Sequence, residues 1–153
     1  MIGRYRDFSE WGPDQYLAHD PLLNRQVIVQ FLPQACDEVF EWVRKLARAG
    51  GPLVQRLHDF GKEQDRSYLI RELVEGRSLA EIGPDPKLLP PLLAALDQIH
   101  KSGLQHGDLS PANAVLSSEG VLRLTNLCYQ GRDDKEALAE VTAWFDVQGS
   151  LFK

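Results

Sequence analysis

The sequence has little of several things. Two cysteines, Cys36 and Cys128, are too few for a disulfide framework or a cysteine-based zinc site. They read as buried, reduced thiols. No apolar run approaches the ~20 residues that span a bilayer, and the opening MIGRYRDFSEW has no apolar signal core. Membrane insertion is therefore not expected, and a cytoplasmic location is. There is no excess of basic residues: 17 Lys and Arg stand against 22 Asp and Glu, a net charge of −5 that argues against nucleic acid as a partner. Repeats and low-complexity tracts are absent. What remains is an apolar fraction of 43% with 25% charged residues, the composition of an ordinary soluble domain. A chain of 153 residues is read as one domain, 1–153, with lobes at 1–75 and 76–153.

Local patterns place the elements. Residues 3–12 and 15–20 read as short strands around Gly12-Pro13-Asp14. The β-branched run QVIVQFL, 26–32, reads as a buried strand ended by Pro33. Asp37 opens a helix whose apolar positions Val39, Phe40, Val43, Leu46 and Ala47 keep helical spacing until Gly50-Gly51-Pro52. Residues 53–76 read as an antiparallel hairpin turning at Lys62–Arg66 and ended by Gly76, with a short helix at 78–82. Pro90 and Pro91 suit a helix start. The following Leu92, Leu93, Ala94, Ala95, Leu96 and Ile99 predict a helix apolar over most of its circumference, closed by Gly103. Strands at 114–117 and 121–126 follow. A last helix begins near Asp134, with Asp133 and Glu136 as an acidic capping box. The order is α+β, with a sheet-rich first half and a helical second half.

Within this frame LQHGDLSPANAVL, 104–116, sets His106 and Asp108 five residues before Asn113. That loop, the opening IGRYRDFSEWG…YLAHDPLLNRQVIVQFL, the stretch LARAGGPLVQRLHDFGKEQDRSYLIRELVEGRSLAEI and LLAALDQIHKSGLQHGDLSPANAVLSSEGVLRLTNL occur in one order. Together they resemble bacterial protein kinases of the eukaryotic-like Ser/Thr type over about residues 2–128. The resemblance implies a protein-kinase-like fold: a small antiparallel sheet with one helix as first lobe, and a mainly helical second lobe lacking the activation segment and later helices.

Phosphoryl transfer depends on positioning and on neutralising a charged transition state. The resemblance locates the parts that usually do this. The glycine-rich loop corresponds to the shorter Glu10–Tyr16 turn with one glycine. The strand lysine corresponds to Gln30. The helix glutamate corresponds to Trp42, with Glu41 one residue away, about 100° round the helix and solvated, and Trp42 turned inward. In the catalytic loop His106, Asp108 and Asn113 remain, Gly107 stands for the usual arginine and Ser110 for the usual lysine. The metal-binding Asp-Phe-Gly corresponds to Asn126-Leu127-Cys128, with Cys128 packed. Asparagine offers Mg²⁺ a neutral oxygen in place of a carboxylate. Gln30, Glu72 and Asn126 are thus degenerate cleft positions, and His106, Asp108 and Asn113 remnants that hold the loop's shape through Asx-type bonds. No cofactor and no metal is expected.

The leading expectation is an inactive minimal pseudokinase acting as a binding, regulatory or scaffolding module. Because the later helices have no counterpart, the leucine-rich helix 88–101 needs another cover. The stripe of Ala137, Leu138, Val141, Trp144 and Phe145 is the candidate. Apolar surface left exposed there marks a protein partner or a homo-oligomer, so Leu138, Val141, Trp144 and Phe145 are the interaction candidates. His100 and His106 read as structural. Trp11, Trp42 and Trp144 read as core. The alternative is a small phosphotransferase of the aminoglycoside- or choline-kinase-like type, whose His-Gly-Asp loop resembles HGDLSPAN, with Asp108 as base. A third is a subunit completed by another chain.

Overall fold

A computed structural model describes residues 2–32 and 37–151, with side chains described as far as Asp146. Pro33 and Cys36 lie outside the described residues. The chain divides into two compact units. One comprises Met1–Ala47 with Arg56–Leu73, the other Arg48–Gln55 with Val74–Lys153.

The first unit is a five-stranded antiparallel sheet in the order β1-β2-β3-β5-β4, with β1 Arg6–Gly12, β2 Gln15–Asp20, β3 Arg25–Leu32, β4 Leu57–Glu63 and β5 Arg66–Glu72. β3 lies at its centre because Val27, Ile28 and Val29 are apolar on both sides of the pleat, and all are buried. Residues directly opposite in an antiparallel pair share a face. Val29 opposite Ile70 puts both on one face, where Ile2, Tyr5, Ala18 and Val27 join them. Ile28 opposite Arg71, and Gln30 opposite Leu69, lie on the other. Helix α1, Asp37–Ala49, carries acids in its first turn and Arg48 in its last, matching the helix dipole. Trp42 is buried on α1, and the Arg71 guanidinium stands 5.9 Å from its ring centroid. Phe40 meets Phe60 edge-on at 5.6 Å.

Two features depart from the sequence expectation here. Trp11 is 51% exposed, because β1 is an edge strand with every residue exposed and two irregularities in its register. An edge strand packs fewer neighbours over its side chains. Trp42 alone of the tryptophans is buried, and Trp144 is half-buried.

The second unit carries β6 Gly76–Ser78, β7 Ala114–Ser117 and β8 Leu122–Leu124 as a small antiparallel sheet. Gly76 therefore begins a strand. Its φ of +150° and the 2.2 Å that would separate a Cβ from the Leu116 carbonyl oxygen explain why glycine stands there. Val54 bridges Leu124 in parallel, and the buried Arg123 donates from Nη2 to the Gly51 and Val54 carbonyls at 2.8 and 3.2 Å. These bonds join the segment after α1 to the second unit. Ser78 caps α2, Leu79–Ile82, by accepting from the Glu81 N–H. Helix α3, Leu89–Lys101, lies on β8 and buries Leu92, Ala95, Leu96 and Ile99, an i, i+3, i+4, i+7 stripe. Leu93 is 41% exposed and Ala94 is exposed, so the helix is one-sided and not apolar all round. Helix α4, Asp134–Leu151, begins under Asp133, whose Oδ1 accepts from the Lys135 and Glu136 N–H groups. Among the described residues no helix is long and apolar enough to cross a membrane.

Asp20 fixes the outer corner of the first sheet. Its buried carboxylate accepts from Arg4 Nε at 2.7 Å and Nη2 at 3.0 Å, and from the Leu22 and Leu23 N–H groups. The Arg4 hydrogen bond holds its pKa down at about 2. An unfolded aspartate titrates near ~3.9. The stabilisation is therefore present above that pH and is lost as the pH falls towards 2. Thermal melts followed by circular dichroism between pH 5 and pH 2 check this. Wild type is expected to lose Tm steeply through that window, and Asp20→Asn to start lower at neutral pH with a shallower acid slope.

Candidate functional site

The residues singled out in HGDLSPAN come together in the second unit. Helix α3 ends in a Schellman motif: Gly103, at φ +81°, donates to the His100 carbonyl and Leu104 donates to the Ile99 carbonyl. This reverses the chain and delivers His106, Gly107 and Asp108 to β8 and the start of α4. His106 is fully buried. Its Nδ1 accepts from the Asp108 N–H at 3.1 Å, so the ring is the Nε2–H tautomer, and Nε2 donates to the Thr125 carbonyl at 2.7 Å. The imidazole joins the loop to the end of β8.

Asp108 is exposed. An ionised carboxylate only accepts hydrogen bonds, and this sets the direction of the next three contacts. Asn113 Nδ2 donates to the Asp108 carbonyl at 2.7 Å and to its Oδ2 at 3.1 Å. Asn113 Oδ1 is then an acceptor, and it accepts from Asn126 Nδ2 at 2.8 Å. Asn126 itself sits at φ +63°, a left-handed conformation that asparagine tolerates. Its backbone N–H donates to Gln55 Oε1 at 3.0 Å. The polar groups of Asp108, Asn113 and Asn126 thus form one chain of donors and acceptors. An aspartate at 126 would set a carboxylate against Asn113 Oδ1, two acceptors with no proton between them.

Gly107 has a conformational reason to be glycine. Its φ is +87°, and a Cβ would stand 2.7 Å from the Cys128 carbonyl oxygen and 3.3 Å from Gly131 Cα. The Gly107 carbonyl accepts from the Arg132 N–H and the His106 carbonyl from the Cys128 N–H, each at 2.7 Å. The loop and residues 128–132 therefore run in direct backbone contact. Cys128 is exposed, against the expectation of a packed thiol, because its neighbour Leu127 takes the buried place.

Asp134 organises the loop. It is 3% exposed at the first residue of α4. Oδ2 accepts from the His106 N–H at 2.6 Å and contacts His100 Nε2 at 2.8 Å, and Oδ1 accepts from the Gly107 N–H at 3.0 Å. Its own N–H donates to Gln105 Oε1. Asp133 and Asp134 stand side by side at the start of α4. Only Asp133 caps, and the signal that separates them is that one side chain suffices for the cap, leaving the second acid for another task. Ala137, Val141 and Phe145 are buried behind it, and Leu138 and Trp144 are half-buried, so the α4 stripe turns inward. Leu138 lines, with Leu96 and Leu104, a groove of about 420 Å³ beside His100.

The other expected positions lie in the first unit. Gln30 is on β3, half-buried, and its Oε1 has no hydrogen-bond partner among the described residues. Glu72 ends β5, where its Oε1 accepts from the Arg56 N–H at 3.0 Å. Glu41 is exposed and pairs with Arg44 at 3.2 Å, as its place on the helix implied.

No family model matches the chain. Its sequence is similar to the probable serine/threonine-protein kinase CPE1738 of Clostridium perfringens, 30% identical over 84% of this chain and 21% of that protein. It is likewise similar to the serine/threonine-protein kinase PrkC of Bacillus subtilis, 28% identical over 82% of this chain and 22% of that protein. The DNA damage-responsive serine/threonine-protein kinase RqkA of Deinococcus radiodurans is 31% identical over 81% and 22%. The chain spans about a fifth of the length of these curated relatives. Among solved structures it is similar to Rad53 1-466 in complex with AMP-PNP, with a TM-score of 0.67 at 20% identity over 82% of this chain and 38% of that one. That likeness shows a protein-kinase-like fold.

Two substitutions test the geometry. Gly107→Arg, which writes the usual kinase residue back into the loop, is expected to destabilise the protein by roughly 2 kcal/mol or more, from left-handed strain and the Cys128 contact. Asp134→Ala strands the buried His106 and Gly107 N–H groups and is expected to cost roughly 2–4 kcal/mol. Urea unfolding measures both, and values near zero contradict the geometry.

Proposed function

We propose that this chain, a relative of the bacterial serine/threonine protein kinases with their kinase-like fold in short form, acts as a protein-binding module and transfers no phosphate. The observation that carries this reading is the closed chain of bonds from Asp108 through Asn113 to Asn126. Mg²⁺ takes hard oxygen ligands, preferably charged, and in phosphotransfer it must neutralise two phosphates while holding them in line. Here Asn113 Oδ1 is already engaged by Asn126, and Asp108 is the carboxylate the cluster supplies. At 30 a neutral amide stands where the family resemblance asks for a cation, and Glu41 is turned to Arg44. These residues do not fit Mg-ATP, and parts of a catalytic unit fail together, not in proportion.

One observation favours the other reading. Asp108 is exposed, and a carboxylate held by Asn113 is poised to accept a hydroxyl proton, as a small-molecule phosphotransferase requires. Two measurements separate the readings. Tm is expected to stay unchanged on adding Mg-ATP, and labelled ATP is expected to transfer nothing to the protein, to generic protein substrates or to aminoglycosides and choline. A rise of several degrees, or transfer abolished by Asp108→Asn, overturns the binding-only reading.

A further inference from the structure

We draw no further inference here: the strongest candidate, the groove of about 420 Å³ between α3 and the start of α4 that Leu96, Leu104 and Leu138 line beside His100, carries nothing because nothing in the structure shows what covers it.

Discussion

The carboxylate of Asp134 holds the site together. A chain reversal that leaves α3 and passes under β8 exposes backbone N–H groups inside the protein, where an unsatisfied donor costs about 1–3 kcal/mol. Asp134 satisfies two of them, at His106 and Gly107, and adds His100 from α3. It can do so because it opens α4, where Asp133 has already met the helix's own need for a cap. The dipole of the helix favours the negative charge at that end. The two anchored residues, His106 and the left-handed Gly107, in turn accept from the Cys128 and Arg132 N–H groups.

Downstream of the anchor the loop is closed on itself. A carboxylate that only accepts forces Asn113 to donate, which forces Asn113 Oδ1 to accept and Asn126 to donate. Gly107 and Asn126 look, residue by residue, like losses from a catalytic set. In the fold each meets a local demand, one conformational and one of hydrogen-bond polarity. On the reading proposed here, the loop keeps the shape of a kinase loop while serving as structure.

Much of the fold was legible because strong local signals agreed with one another. The run QVIVQFL had the composition of a buried strand, α1 had its helical spacing and glycine stop, and the hairpin had its polar turn. The family resemblance in the ordered segments was sound: the relatives are kinases and the fold is kinase-like. The features that escaped depend on distant partners. The strand Gly76–Ser78 has no apolar alternation and exists because β7 pairs with it. Residues 48–55 join the second unit through the Val54–Leu124 bridge and Arg123, which no local pattern announces. Trp11 is outward because β1 is an edge, a fact of sheet order. The α4 stripe was visible by periodicity and was expected as a cover, and Val141 and Phe145 are buried. Asp134 was visible as an acid beside a cap and invisible as an anchor, since its donors lie 27 and 28 residues away.

The central claim, that Asp134 and not a nucleotide holds the loop, is tested most directly by amide hydrogen exchange at His106 and Gly107 with and without Mg-ATP. The account predicts strong protection in the protein alone, unchanged by Mg-ATP and lost in Asp134→Ala. Weak protection that rises on adding Mg-ATP contradicts it.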